Sequence, residues 1–221
     1  MEKETLKHLT NFFSFYKLLS YKKREPILRA DDQPQGIYFL TKGYVRVYSI
    51  SREGEELTLL LLKAHDFFPV RWAITNEPVR YYYEALTPVE AYRAPKVAFL
   101  HFLRDNPDVL FQFSERIFTR LGGLMKRLEY VIFGNADTKV ASSIQMCMER
   151  FGVESKEGVL IDLPLTHKDI ASLVGMTRET VSIALEKLRQ KEIITQKNKH
   201  IVVLNKEALL EVSLLQHLDK G

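Results

Sequence analysis

Apolar residues recur along this chain with more than one period, and the changes of period divide it. Leu6, Leu9, Phe13, Tyr16 and Leu19 fall at helical spacing, which predicts one packed amphipathic helix over Thr5 to Leu19. The short charge run Tyr21-Lys22-Lys23-Arg24 after it reads as a solvated face rather than a membrane contact. From about Pro26 to Ala94 the pattern shortens to β-type runs: Ile37-Tyr38-Phe39-Leu40, Tyr44-Val45-Arg46-Val47-Tyr48, Leu57 to Leu62, and Tyr81-Tyr82-Tyr83. Turn formers separate them at Gln33-Pro34-Gln35-Gly36, Lys42-Gly43 and Ser51-Arg52-Glu53-Gly54. Short strands at such spacing, with no segment of βαβ character, predict an antiparallel β-roll of jelly-roll type.

After Pro95 the helical period returns, and Asn106-Pro107-Asp108 restarts it with proline in the first turn. Leu110, Ser114, Ile117, Leu121, Leu124, Leu128 and Val131 alternate spacings of four and three, an a/d seam of about three heptads. Such a seam needs a partner, either the roll of the same chain or a second copy. Leu110, Ile117, Leu121, Leu124, Leu128 and Val131 are the candidate dimerisation residues. Gly122-Gly123 in mid-helix each cost about 1 kcal/mol against alanine, and mark a close crossing, a kink or a ligand-facing gap. Phe133-Gly134-Asn135 reads as a hinge, giving a first domain of 1–134, with its long helix at 107–133, and a second of 135–221.

The second domain begins with a helix over Lys139 to Phe151, ended by Gly152, and a strand at Val159 to Leu163. Thr166 and Asp169 then form a short capping box ahead of Ile170, Leu173 and Val174, which predicts a first short helix. Gly175 supplies the positive φ of a sharp turn, and Thr177 caps a second helix with Val181, Ala184, Leu185 and Leu188 buried. Ile193 to Gln196 and Ile201 to Leu204 flank Lys197-Asn198-Lys199-His200, a hairpin with a basic tip. Lys206 to Leu218 is a last amphipathic helix. A helix-turn-helix of this kind places the first turns of its second helix against base edges. There Arg178 forks onto guanine O6 and N7, and Glu179 accepts from a cytosine amino group. The plainer alternative makes both residues solvated, with Glu179 complementing the helix dipole.

Composition narrows the choice. Hydrophobic content of 46% and charged content of 27% are ordinary for a globular protein. No run approaches the ~18 apolar residues of a membrane span, and the first residues lack the pattern of a secretory signal, so a cytoplasmic protein without a membrane partner is expected. Cys147 is the single cysteine, which excludes an intrachain disulfide and a cysteine-ligated iron-sulfur cluster or structural zinc within one subunit. It sits in the apolar run Ile144 to Met148, so a small buried hydrophobe is expected rather than a redox sensor. The net charge of +4 favours a polyanion, and between Thr166 and His200 the cations Lys168, Arg178, Lys187, Arg189, Lys191, Lys197 and Lys199 outnumber Asp169, Glu179, Glu186 and Glu192. His65 and His101 are the candidate axial haem ligands, against a structural role for each. The roll carries no H-x-H or E-x-x-H spacing, and no acid-base pair or nucleophile constellation marks an enzyme.

A roll, a long seam and L-T-H-K-D-I-A-S-L-V-G-M-T-R-E-T-V-S followed by a basic hairpin together resemble the CRP/FNR family of bacterial transcription regulators. In the roll, G-I-Y-F-L-T-K-G-Y-V-R-V-Y and G-E-E-L-T-L-L-L-L are also similar to that family. The resemblance implies an α+β fold: an N-terminal antiparallel β-roll, a long dimerisation helix and a C-terminal winged helix-turn-helix. It implies a homodimer on a pseudo-palindrome in double-stranded DNA, with RNA polymerase and a small-molecule effector as further partners. By position, Arg178, Glu179 and Ser182 are its base readers, and Ile183 stands where the family often has a second arginine. Isoleucine cannot donate to guanine but can touch a thymine methyl, so the operator should differ from the family's usual one. Thr166, His167, Lys168, Thr177, Thr180, Lys197 and Lys199 match or neighbour the phosphate contacts.

The sensory half departs from the resemblance. Cyclic-nucleotide-binding members carry a G-E dipeptide and an R-S/T-A segment; here stand Ala64-His65-Asp66-Phe67-Phe68-Pro69-Val70-Arg71-Trp72 and Val79-Arg80-Tyr81-Tyr82-Tyr83. Leu124-Met125 replaces the polar pair that meets adenine on the long helix. Cyclic AMP is therefore not the expected effector, although Arg80 remains the candidate contact for a cyclic nucleotide or another small anion. A sensor whose main activity is binding such an anion in the roll is the alternative reading. The aromatic group Phe67, Phe68, Trp72 and Tyr81 to Tyr83 reads as core.

Overall fold

The computed structural model describes residues 2–213, in two compact units, Met1–Arg120 and Leu121–Gly221. Along the first run α1 (Lys3–Ser14), β1 (Lys17–Tyr21), β2 (Pro26–Leu28), β3 (Ile37–Lys42), β4 (Val45–Ile50), β5 (Glu56–Leu62), β6 (Phe67–Phe68), α2 (Val70–Thr75), β7 (Tyr82–Ala85), β8 (Val89–Ala94) and α3 (Lys96–Asp105). Helix α4 (Pro107–Phe133) carries the boundary between the units. The second unit continues with α5 (Ala136–Phe151), β9 (Gly152–Ser155), β10 (Gly158–Ile161), α6 (His167–Val174), α7 (Arg178–Gln190), β11 (Ile194–Lys197), β12 (His200–Val203) and α8 (Lys206–Val212). The C-terminal part of the expected last helix lies outside the described residues.

The first unit is the expected antiparallel roll, built from sheets of order β1-β8-β3-β6 and β2-β7-β4-β5. Strand β3 shows why both faces of one sheet are apolar. Tyr38 and Leu40 point into the core between the sheets, while Ile37 and Phe39 point the other way, onto Phe13 of α1 and Phe99 of α3. Three rings stack through the inter-sheet core: Tyr38 on Phe68 at 5.3 Å and Phe68 on Tyr83 at 4.9 Å. Burial pushes the Tyr83 hydroxyl up to about 12. Of the aromatic group, Phe67 and Phe68 are buried and Trp72 and the three tyrosines are half-buried. The turn at Gly43 needs glycine twice over: φ is +84°, and a Cβ there would stand 2.2 Å from the Pro88 carbonyl oxygen.

One expectation is corrected. The first helix stops at Ser14, and Leu19 belongs to β1, which pairs with β8 from Lys17 opposite Arg93 to Tyr21 opposite Val89. The helical spacing of Tyr16 and Leu19 is overridden because pairing satisfies the strand's backbone groups and packs Leu19 against the inter-sheet core. Strands β2, β6 and β8 and the short helix α2 also carry no run of their own in the pattern read from sequence.

Charged groups are buried in the roll only in company. The Arg46 guanidinium meets Glu56 at 2.7 Å and Glu84 at 3.0 Å and lies over the Tyr48 ring. Burial works against its charge, and the two carboxylates outweigh burial, so its pKa rises. Asp66 is 1% exposed. Its Oδ2 accepts from the Lys63 amide at 3.0 Å, and its Oδ1 receives both Arg116 and Arg120 of α4. Arg116 also donates to the His65 carbonyl at 3.0 Å. Together with Val109 and Phe113, which are buried against the roll, these contacts seat the first half of α4.

The seam of α4 lies on a different face. Leu110, Ile117, Leu121, Leu124 and Leu128 are 40 to 60% exposed, so the described roll does not cover them. Phe111, Phe118, Met125 and Ile132, at seven-residue intervals beside the seam, are also exposed. The helix runs unbroken through Gly122-Gly123, where a Cβ would meet nothing within 4 Å.

In the second unit, one sheet of order β11-β12-β10-β9 packs with α5. Asn135 caps α5 by accepting from the Thr138 amide at 3.0 Å, so the helix begins at Ala136, three residues ahead of the start read from sequence. Arg127 of α4 is buried and donates to the Leu173 carbonyl at the C-terminal end of α6. A cation there meets both an orphan carbonyl and the negative end of the helix dipole. Its neighbours Tyr130 and Cys147 are buried with it, and burial pushes each of their pKa values up to about 12. Cys147 is thus a packed hydrophobe, as expected.

Two outcomes follow. Asp66→Ala strands two arginines against the roll and should lower stability by about 3 kcal/mol, read as a reduced urea midpoint. The Cys147 thiol is held neutral in the fold, so its contribution is full below the unfolded value of 9.0 and is lost as pH rises from there toward about 12. The unfolding midpoint should therefore fall over that window, and less steeply in Cys147→Ala. A thiol reagent at pH 8 should react with Cys147 only when urea is present.

Candidate nucleic-acid interface

Two caps and one turn set the geometry of the interface. Thr166 Oγ1 accepts from the Asp169 amide at 3.2 Å, and Asp169 Oδ2 accepts from the Thr166 amide at 2.9 Å, so the capping box is complete. Gly175 ends α6 in the left-handed region at φ +64°, and the Met176 amide donates back to the Ala171 carbonyl at 3.1 Å. Thr177 Oγ1 then accepts from the Thr180 amide at 3.3 Å and starts α7. Val181, Ala184, Leu185 and Leu188 bury one side of α7, which packs with α5 and α6. These are the residues and boundaries that the sequence indicates.

The opposite side of α7 is open. Arg178 and Glu179 are exposed in the first turn, Ile183 is 60% exposed, and Glu186 continues the face one turn later. Ser182 is half-buried between them. Its Oγ donates to the Arg178 carbonyl at 2.8 Å and lies 2.7 Å from His167 Nδ1, at the start of α6. The expected base readers thus share one edge.

The expected phosphate contacts are more varied in state. Lys168, Thr177 and Lys199 are exposed, while Thr166, His167 and Thr180 are half-buried. The Thr177 and Thr180 hydroxyls lie 2.9 Å apart, within the cap. Lys197 Nζ holds both oxygens of Glu157 at 2.6 Å. The hairpin turns at Asn198 and Lys199, both at positive φ, and Lys197 pairs with His200. The Lys199 carbonyl accepts from the Leu165 amide at 2.9 Å, which fastens the basic tip beside the start of α6. Sequence reasoning missed the His167–Ser182 contact, the Glu157 screen on Lys197 and the Arg127 contact. Each joins residues more than ten positions apart, and no periodicity or motif reports such a pair.

Elsewhere, Arg80 is exposed just ahead of β7. Among the described residues no group of three or more His, Cys, Asp or Glu is placed to hold a metal ion, and no helix is long and apolar enough to cross a membrane.

Comparison with known proteins agrees with this division. Residues 18–106 match the cyclic nucleotide-binding domain, and residues 138–212 match the Crp-like helix-turn-helix domain. The global nitrogen regulator of Nostoc sp. is 31% identical over 83% of this chain and 83% of its own length. The protein of the same name from Synechocystis sp. is 30% identical over 86% of this chain and 85% of its own. Among solved structures, FixK2 from Bradyrhizobium japonicum superposes with a TM-score of 0.76 at 21% identity, covering 90% of this chain and 97% of that one. A CooA variant from Carboxydothermus hydrogenoformans gives 0.75 at 20%, covering 96% and 91%. With a roll, a long helix and a winged helix-turn-helix matched in order by such relatives, the chain belongs to the CRP/FNR family of DNA-binding transcription regulators.

Proposed function

We propose that the protein acts as a homodimer that reads a pseudo-palindromic operator, with one α7 in each of two successive major grooves about 34 Å apart. The observation that carries this reading is the open edge of α7: Arg178, Glu179, Ser182 and Ile183 face away from a fully buried stripe on a doubly capped frame. Arg178 supplies donors to guanine, Glu179 accepts from a cytosine amino group, and Ile183 packs on a thymine methyl. Lys168, Lys199 and the threonine caps set the register on the phosphates, and Lys197 joins them by exchanging Glu157 for a phosphate.

The exposed seam supports the dimer. An uncovered apolar stripe of Leu110, Ile117, Leu121, Leu124 and Leu128, continued by the half-buried Val131, suits a second copy of the same helix, because a two-fold axis makes the stripe its own complement. We assign residues 1–134 to dimerisation and control, and 135–221 to DNA. Cyclic AMP is not the expected effector, because Ala64 to Trp72 and Val79 to Tyr83 lack the G-E dipeptide and the R-S/T-A segment. Arg80 is the exposed cation ahead of β7 that a small anionic effector would meet, and RNA polymerase is the expected protein partner on the promoter.

Selection from random oligonucleotides, with and without cell extract, tests the operator and its effector dependence. Arg178→Ala should cost about 1 to 3 kcal/mol on the preferred site and relax one base position in each half-site. Unchanged base preference at every position would remove Arg178 from the reading. Leu121→Glu with Leu128→Glu places like charges across the seam and should shift the protein from dimer to monomer in sedimentation, with loss of binding to the full operator. A dimer that persists would move the interface elsewhere.

A further inference from the structure

We propose that Ser182 enters the groove as a hydrogen-bond acceptor only, held in that state by His167, so that the base it meets is selected by amino against keto character. This inference rests on the base-reading assignment of α7. The argument is an accounting of one proton. Ser182 Oγ lies 2.8 Å from the Arg178 carbonyl oxygen and 2.7 Å from His167 Nδ1. A carbonyl oxygen can only accept, so the hydroxyl proton points at Arg178. Serine has no second proton for His167. Nδ1 must therefore carry its own hydrogen and donate to Oγ. Turning the hydroxyl toward a bare Nδ1 would instead leave two oxygens 2.8 Å apart with no hydrogen between them.

With one lone pair taken by His167, the other is what Ser182 offers to DNA. An acceptor meets adenine N6 or cytosine N4 favourably and is repelled by guanine O6 and N7 and by thymine O4. A serine without such a neighbour rotates its hydroxyl and accepts either class. The neighbours sharpen the effect, because Glu179 is also an acceptor and Ile183 offers no polar group. In this edge Arg178 is the donor, and it lies one turn away. His167 acts as a positioning residue.

The test is base-preference profiling of the full-length dimer by oligonucleotide selection, for wild type and for Ser182→Ala, His167→Ala, His167→Asn and Arg178→Ala. Asparagine places an amide N–H near the position of Nδ1 and keeps the donor. Ser182→Ala should flatten one position in each half-site. At that position the wild type should favour A and C over G and T on one strand, by about tenfold. His167→Ala should reduce that preference to about threefold or less, His167→Asn should restore it, and non-specific affinity should stay within about twofold in both. A wild-type split between purine and pyrimidine, or between G·C and A·T pairs, overturns the proposal, as does full preference in His167→Ala or its loss in His167→Asn. Parallel loss of non-specific affinity in His167→Ala also overturns it, by making His167 a phosphate contact. If Arg178→Ala changes the motif and Ser182→Ala does not, this inference alone fails. If neither changes it, the assignment of α7 fails with it.

Discussion

A helix of 27 residues with an uncovered apolar stripe is the constraint on which the rest of this protein turns. Helix α4 has more surface to satisfy than one small domain can cover. Its first half is seated by Val109, Phe113 and the pair of arginines on Asp66. Its second half carries Arg127 and Tyr130 into the core of the other unit. What is left is the seam, and the stripe from Phe111 to Ile132 beside it, at 40 to 70% exposure. Neither anchoring face could be given up to bury the seam, since each holds a charge that is costly to strand. An apolar face that the chain itself leaves open is the one that the proposed dimer would cover.

The two arginine contacts differ in kind. Arg116 and Arg120 share one carboxylate, so their geometry depends on a buried opposite charge whose remaining oxygen is held by a backbone amide. Arg127 donates to a carbonyl at the end of α6, where the helix dipole supplies the negative charge. Burial disfavours its charged form, as it does for Arg116. A guanidinium keeps its proton even so, because its reference value is so high. The contact is directional: Arg127 of α4 touches α6 at the end from which the turn to α7 departs.

How much of this was legible in the sequence depended on range. Capping box, turn and second cap are fixed by residues within four positions of one another, and Thr166, Asp169, Gly175 and Thr177 stand in the roles their types imply. The seam is legible because heptad spacing is local too. By contrast Leu19 looks helical until β8, some seventy positions on, offers its strand a ladder. Strand β6 is two residues long and β2 three, too short for any period to register. In the interface, Arg178, Glu179 and Ile183 were legible as exposed positions of one helix. The state of Ser182 was not, because it is set by a histidine on another helix.

The same difference of range explains why the two halves of the chain depart unequally from the family. The helix-turn-helix is specified by a few local residues, so it is recognisable even where overall identity is low. A ligand chamber inside a roll is specified by side chains from opposing strands, and each is replaceable by another that fills the same volume. Here Tyr38, Phe68 and Tyr83, from three different strands, stack in the core between the sheets. Aromatic surface packed there stabilises the roll, because its apolar area is removed from water. The outside of the roll meanwhile seats the first half of α4 through Asp66.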